Sequence, residues 1–208
     1  MESKNYRGAG VALVIASLLM IVTMVLHPVG GNFNHLLKIV TIGRVTHAMA
    51  ILSLPFVSFG FWGLTEKLGA SSIAKISFLF MLFGLIAVML AAAVNGLILM
   101  DFVKSYENAS KEVIDSLKPI FILIRSFNHA FDFIFIGAVC VSTGLWSYQI
   151  IRTKLLPSFI GWLGLFITLV AITSLVVGIV FVDLHGFRIF IFGWVAWVIS
   201  IGVFLIRK

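Results

Sequence analysis

Residues 76–100 read ISFLFMLFGLIAVMLAAAVNGLILM and contain no Asp, Glu, Lys or Arg. A bilayer core of about 30 Å is crossed by roughly 20 helical residues, so this stretch is long enough to span it. The rest of the chain has the same character, because 61% of its 208 residues are hydrophobic and 11% are charged. Soluble domains have about 45–50% and about 25%. We therefore predict an integral membrane protein rather than a water-soluble domain, a disordered chain or a nucleic-acid-binding module.

Five further stretches of similar length also lack charged residues. Together with residues 76–100 they give six predicted spans, at about 9–26, 45–65, 76–100, 133–151, 155–182 and 189–206. A segment inside a bilayer must satisfy its backbone hydrogen bonds internally, and no strand-like alternation competes, which leaves helices. The sequence predicts an all-α fold, an integral membrane bundle of six transmembrane helices that forms a single domain over residues 1–208.

Charged and aromatic residues predict how the helices are oriented. Six spans place both termini on one side of the membrane, with the connections near residues 66–75 and 152–154. This side carries eight basic residues, namely Lys4, Arg7, Lys67, Lys75, Arg152, Lys154, Arg207 and Lys208. Aromatic residues at helix ends fall there too, namely Trp62, Trp146, Tyr148 and Trp162. Basic residues accumulate in cytoplasmic loops and aromatic ones at membrane interfaces, so we predict both termini in the cytoplasm.

Two connections on the opposite, outer side are predicted to be longer than turns. Residues 27–44 carry two glycines after His27-Pro28, and residues 102–118 place apolar side chains at helical spacing among charged ones. The second pattern fits an amphipathic helix on the membrane surface and an ordinary structured loop equally well.

Ionisable residues cluster on the predicted outer side. All five histidines fall there or at outer helix ends, namely His27, His35, His47, His129 and His185. Each helix that runs inward begins with a histidine and an arginine, namely Arg44 with His47, Arg125 with His129, and His185 with Arg188. Such side chains are costly at membrane depth and are a functional hypothesis by default. We therefore predict that these groups converge at the outer end of the bundle.

The fourth span opens with the densest polar group. Arg125, Asn128, His129 and Asp132 stand at i, i+3, i+4 and i+7, a spacing that places them on one helical face. Asp183 ends the fifth span at the same predicted level. We expect this stripe to face the bundle interior rather than lipid.

Two hypotheses explain the cluster without an organic ligand. One is a structural network, in which the polar side chains hydrogen-bond across helices. The other is a site for a divalent metal such as zinc, held by His47, His129, His185 and Asp183, since imidazole and carboxylate are zinc ligands. Asp132 is an alternative carboxylate for that site.

Two further hypotheses involve organic ligands. Arg44, Arg125, Asn128, Asp132 and Arg188 form a predicted site for a small polar or anionic ligand, because guanidinium groups suit carboxylate and phosphate. A haem between His47 and His129 ranks below the metal hypothesis. Both histidines are predicted beside arginines at a wet helix end, a cationic place for an apolar ring.

Several short motifs resemble those of a known group of proteins. They are His27-Pro28-x-Gly30, Val45-x-His47-Ala48, Leu156-Pro157 followed by Gly161-Trp162-Leu163-Gly164, and Asp183-x-His185-Gly186-Phe187. The chain thereby resembles small bacterial six-helix inner-membrane proteins of unknown function. The resemblance implies the architecture and a bacterial inner-membrane location, and it implies no activity.

The sequence favours a multi-pass membrane protein that binds a small polar ligand or a divalent metal at the outward-facing cluster, without catalysis. The alternatives are a membrane-embedded metal-dependent enzyme, with the same histidines as ligands and Asp132 or Asp183 as general base, a haem-binding redox subunit, and a purely structural subunit. The lipid bilayer is the predicted partner. A homo-oligomer and a membrane-complex subunit both stay open.

Overall fold

The computed structural model describes residues 6–177 and 184–207, and every regular element in these two ranges is helical. The elements are α1 (Arg7–Leu26), α2 (Phe33–Lys67), α3 (Ser72–Ala92), a π-helical segment (Ala93–Ile98), α4 (Leu99–Ser105), α5 (Lys111–Ser116), α6 (Lys118–Thr153), α7 (Ser158–Val176) and α8 (Leu184–Arg207). The prediction of an all-α fold is confirmed over the described ranges.

Five helical stretches are long and apolar enough to cross a membrane. They are Arg7–Leu26, Phe33–Lys67, Ser72–Ser105, Lys118–Thr153 and His185–Arg207. A sixth apolar helix is shorter, over Ser158–Ser174. It corresponds to the predicted span 155–182, whose last part lies outside the described residues. The described chain therefore has five candidate spans and one shorter apolar helix where the sequence predicts six spans.

Two helices continue well beyond their predicted spans. α2 has 35 residues and α6 has 36, so at 1.5 Å per residue each is about 50 Å long. The predicted connection over residues 27–44 is therefore wrong for residues 33–44, which belong to α2. Asn32 caps this helix, because its side chain accepts a hydrogen bond from the backbone N–H of His35 at 3.0 Å.

A second, smaller core explains why these extensions are helical. Apolar residues in the first turns of α2 pack against α4. The cluster consists of Phe33, Leu36, Val40, Leu99, Met100 and Val103. Residues 102–118, for which a surface helix and a structured loop were equally expected, end α4, form the short α5 and begin α6. Ser110 caps α5 through Val113 N–H, and α5 has no buried residue.

The helices pack as antiparallel neighbours around one main core. α1 lies against α2 and α8, α3 lies against α6, and α7 lies against α6 and α8. We call the end of the bundle where α1 passes into α2 the His27 end, and the end where α2 passes into α3 the Lys67 end. The Lys67 end carries the described basic residues Arg7, Lys67, Lys75, Arg152, Lys154 and Arg207.

Stacked aromatic rings fill the main core. The Phe61 ring stacks on Trp146 at 4.7 Å between centroids and lies within 6 Å of both Trp194 and Trp197. Trp194 Nε1 donates to Thr143 Oγ1 at 3.1 Å, and Trp197 Nε1 donates to the Ile160 carbonyl at 3.0 Å. Buried indole N–H groups need such partners, so these bonds allow two large rings to be buried.

Glycine 10 makes the contact between α1 and α8 close. A Cβ atom at this position would lie 2.5 Å from the Gly202 carbonyl oxygen and 2.9 Å from the Ile206 nitrogen, so the two backbones could not keep their distance. We expect Gly10→Ala to lower the free energy of unfolding by about 1–3 kcal/mol, as overpacking generally does. Denaturation with sodium dodecyl sulfate from mild detergent measures the change.

Gly193 on α8 provides the matched control. A Cβ atom there meets nothing within 4 Å, so Gly193→Ala should leave the unfolding free energy unchanged or raise it. Equal destabilisation by the two substitutions would show that the α1–α8 contact is not the cause.

Candidate functional site

A cavity of about 250 Å³ lies near the His27 end, between α1, α2, α6 and the last part of α3 with its π-helical segment. Most of its wall is apolar. Its polar lining consists of Thr23, His27, His47, Asn95, Asn128 and Asp132. Cavities of this kind, apolar with a few convergent polar groups, are typical of small-molecule sites.

Two imidazole rings lie side by side in the wall. The centroids of His27, just after α1, and His47, inside α2, are 4.7 Å apart. His27 Nδ1 is 3.0 Å from the Pro28 carbonyl oxygen, and His47 Nδ1 is 2.7 Å from the Gly43 carbonyl oxygen. A carbonyl only accepts, so Nδ1 carries the hydrogen in each ring. In the neutral imidazole, Nε2 is then an acceptor.

The π-helical segment brings α3 against His47. Gly96 is so close that a Cβ atom there would overlap the His47 ring. Only a residue without a side chain fits at this point. π-Helical turns are rare and occur frequently at functional sites, and this one also carries Asn95 into the cavity wall.

A chain of hydrogen bonds leads from α3 to a buried carboxyl group on α6. Asn95 Nδ2 donates to Asn128 Oδ1, and Asn128 Nδ2 donates to Asp132 Oδ2 at 2.7 Å. Asp132 is 8% exposed and is the one formally charged side chain among the described residues that line the cavity. The two amides thus orient a carboxyl group toward the same space as the imidazoles.

A fully buried hydroxyl of the wall lacks a partner among the described residues. The Thr23 side chain is 2% exposed, and its hydroxyl makes no hydrogen bond with any described residue. Leaving a buried hydroxyl unpaired costs about 1–3 kcal/mol. Thr23 therefore marks a place where a ligand atom or a water molecule would be stabilised.

The arginines of the predicted cluster have other partners. Arg44 pairs with Asp101, and both side chains are largely exposed, so this ion pair contributes about 0–1 kcal/mol. Arg188 Nη2 donates to the His27 carbonyl at 2.7 Å. This bond ties the connection between α1 and α2 to the beginning of α8.

The other predicted site residues do not join the cavity wall. Arg125, His129 and His185 are exposed, and Asp183 lies outside the described residues. His129 follows Asn128 by one position and is therefore turned 100° around the helix. Within residues 6–177 and 184–207, no group of three or more His, Cys, Asp or Glu could hold a metal ion. The four-ligand metal site, which includes Asp183, stays a prediction.

Two residues of the cavity wall, His27 and Asn95, belong to none of the ligand sets predicted from the sequence. The spans were delimited by charged residues, so a neutral amide inside residues 76–100 raised no signal. Asn95-Gly96 was nevertheless informative, because a polar side chain in an apolar span is costly and usually faces a partner. His27 stood in a predicted loop, and its contact with His47 depends on the tertiary fold.

No protein-family model matches the chain, and neither a curated protein nor a solved structure matches it.

The pH dependence of stability provides a test of the imidazole pair. Burial lowers the pKa of His27 from 6.5 to about 4, and the nearby His47 and Arg188 add to this effect against the Pro28 hydrogen bond. Between about pH 6.5 and pH 4, His27 is therefore protonated in the unfolded chain but stays neutral in the folded chain. Stability should fall as the pH drops through this window, by at most about 3 kcal/mol.

His27→Asn removes the titration and keeps an amide donor where Nδ1 stands. We expect its thermal unfolding midpoint to change less between pH 7 and pH 5 than that of the unmodified protein. His35→Asn, at an exposed position, should retain the original pH dependence. Identical curves for His27→Asn and the unmodified protein would contradict this assignment.

Proposed function

We propose that the chain is an integral membrane protein with six transmembrane helices that binds a small polar ligand in the cavity at the His27 end. One observation carries the proposal. Two imidazoles with their Nδ1 atoms committed to carbonyl groups share a mostly apolar cavity with the buried carboxyl group of Asp132. Binding is proposed because the described wall offers hydrogen-bond acceptors and a carboxyl group that suit a small polar ligand.

Large apolar side chains on the outside of the bundle support the membrane assignment. Phe83, Phe166 and Leu169 are each more than 60% exposed, and other exposed apolar residues continue along the same helices. Exposed apolar surface on this scale marks an interaction with a membrane or a protein. The Lys67 end carries six described basic residues and one acidic residue, whereas at the His27 end seven described basic residues are mixed with acidic ones. We propose that the Lys67 end faces the cytoplasm of a bacterial inner membrane.

The cavity wall favours a ligand that donates hydrogen bonds. Nε2 of both histidines and the carboxyl group of Asp132 are acceptors, and an ammonium group has three donors and a matching charge. Within the described residues no arginine lines the cavity. We therefore propose a small amine in its ammonium form, and the arginine-based hypothesis of an anionic ligand gives way to it.

A divalent metal is the second candidate. Histidines that bind metals usually donate their other ring N–H to a carbonyl or carboxylate, as His27 and His47 do toward carbonyls. Asp132 would be the third ligand, and it would have to approach the rings to complete the set. A metal-dependent enzyme in the membrane would use the same three side chains, with the metal activating a water molecule.

Ethylammonium is a suitable probe for the head of the proposed ligand. In nanodiscs of phosphatidylcholine, we expect it to raise the thermal unfolding midpoint in a concentration-dependent way. Asp132→Asn should weaken binding about tenfold or more, since it removes a charge-assisted hydrogen bond. His129→Gln, on the same helix but exposed, should bind as the unmodified protein does. A midpoint that does not respond to ethylammonium would overturn the proposal.

Metal analysis and an absorption spectrum of the gently purified protein separate the alternatives. Stoichiometric zinc in the unmodified protein that is absent from His47→Gln would favour the metal hypothesis and overturn the amine proposal. A Soret band would indicate haem and would equally overturn the amine proposal.

Cysteine labelling tests the orientation. In a Cys140→Ala background, single cysteines at Lys67 and Arg152 should be shielded from an impermeant thiol reagent in intact cells. A cysteine at Lys111, in α5 at the His27 end, should react, since the proposal places this end outside. The reverse pattern would place the cavity toward the cytoplasm.

A further inference from the structure

A second cavity of about 50 Å³ adjoins the first. The two share five lining residues, namely Thr23, Met24, Ala50, Val88 and Phe187. Because these residues line both spaces, the two cavities are direct neighbours. The second cavity continues from the polar site toward the stacked aromatic core, and Trp194 lies in its wall.

The wall of the second cavity is mostly apolar, and most of its few polar groups already have hydrogen-bond partners. Its described lining is apolar apart from Ser53, Thr23 and the indole N–H of Trp194. The Ser53 hydroxyl donates to the Ala50 carbonyl at 2.6 Å, and Trp194 Nε1 donates to Thr143. The unpartnered hydroxyl of Thr23 stands at the junction with the polar cavity. Apolar cavities stay dry and accept apolar guests.

We propose that the two cavities together bind an amphiphilic primary amine, with its ammonium group at Asp132 and the two imidazoles and its apolar tail beside Leu54, Phe135 and Trp194. This inference rests on the proposed function and adds the tail to it. The order of the two cavities sets the orientation of the ligand. Its charged group lies toward the His27 end, and its tail points toward the middle of the bundle.

The tail explains why the wall pairs one charge with so much apolar surface. Each methylene group moved from water into an apolar site strengthens binding about fourfold. A polar ligand without a tail would leave the second cavity empty, and its lining would lose those contacts. The affinity for primary amines should therefore rise with chain length until the second cavity is filled.

A series of ethyl-, butyl- and hexylammonium tests the tail. Dissociation constants are obtained by titration against the unfolding midpoint in phosphatidylcholine nanodiscs. Because longer amines also partition into lipid, the decisive comparison is between two substitutions on α2. Leu54→Trp fills the second cavity, whereas Leu52→Trp places the same side chain at a position that is 57% exposed.

In the unmodified protein and in Leu52→Trp, we expect butylammonium to bind about tenfold more tightly than ethylammonium, from about fourfold for each of two methylenes less some loss to imperfect fit. In Leu54→Trp, ethylammonium should bind as it does in the unmodified protein. Butylammonium and hexylammonium should bind this variant no more tightly than ethylammonium does. Asp132→Asn should weaken every member of the series by the same factor. Leu54→Ala enlarges the second cavity, so the amine that binds most tightly should have a longer chain. This variant replaces Leu54→Trp in the test if Leu54→Trp does not fold.

The outcomes separate this inference from the proposed function. If ethylammonium binds but chain length has the same effect in Leu54→Trp and Leu52→Trp, the tail site is wrong and the polar site stands. If ethylammonium does not bind, the polar site itself is overturned.

Two sources offer a primary ammonium joined to an apolar tail, a free amine and the headgroup of an aminolipid. Nanodiscs that contain phosphatidylethanolamine distinguish them. Competition between that lipid and hexylammonium would identify a lipid ligand, and unchanged titration would identify a free amine. Either result supports the shared chemistry.

Discussion

The contact between His47 and Gly96 is the constraint on which the site depends. Because position 96 has no side chain, the imidazole of α2 lies directly against the π-helical segment that follows α3. The Gly43 carbonyl fixes the ring from its own helix. The extra residue of the π turn sets the rotation of Asn95, which meets Asn128 on α6. One close approach thereby joins three helices around the cavity.

The two hydrophobic cores give the cavity its position. Toward the Lys67 end lies the main core with its stacked aromatic rings, and at the His27 end lies the small core between α2 and α4. Leu36 and Leu99 belong to the small core and also line the cavity. The space between the two cores is where polar side chains gather, since neither core leaves room for them. The long extensions of α2 and α6 are thus what encloses the site.

Hydropathy predicted the helices well because an apolar run in a membrane leaves the backbone a single choice. It did not predict where α2 begins. Lys38 and Arg44 interrupt the apolar run, yet Leu36 and Val40 lie on the face opposite Lys38 and pack against α4. Arg44 lies on the same face as these two residues and pairs with Asp101 of α4. A criterion that rejects charged residues cannot detect such an amphipathic extension. The sixth span stays a prediction, since its end lies outside the described residues.

Some residues of the site could be predicted from the sequence and others could not. Asn128 and Asp132 were correctly expected to face inward, because they stand four positions apart at the start of a long apolar run. Helical spacing also grouped His129 and Arg125 with them, although both are exposed. Periodicity gives the direction of a face and not its width, so it cannot tell a side chain at the edge from one at the centre. His27 and Asn95 reach the cavity only through tertiary contacts.

The distribution of charge favours a cation over an anion as the proposed ligand. Three arginines near the outer end suggested an anion, but none of them is among the described residues that line the cavity. Arg44 is paired with Asp101, and Arg188 donates to the carbonyl of His27. Asp132, by contrast, accepts a bond from a neutral amide, and within residues 6–177 and 184–207 no lysine or arginine pairs with it.

A buried carboxylate without a counter-charge is costly, and an opposite charge that approaches it recovers much of that cost. Within the described residues no lysine or arginine lines the cavity, so the proposed ligand would supply that charge. An ammonium group brings both the charge and the donors that the two imidazole Nε2 atoms require. The affinity of the proposed ligand then comes from the charge it brings to Asp132, and a polar atom near Thr23 would give a partner to a hydroxyl that makes no hydrogen bond with any described residue.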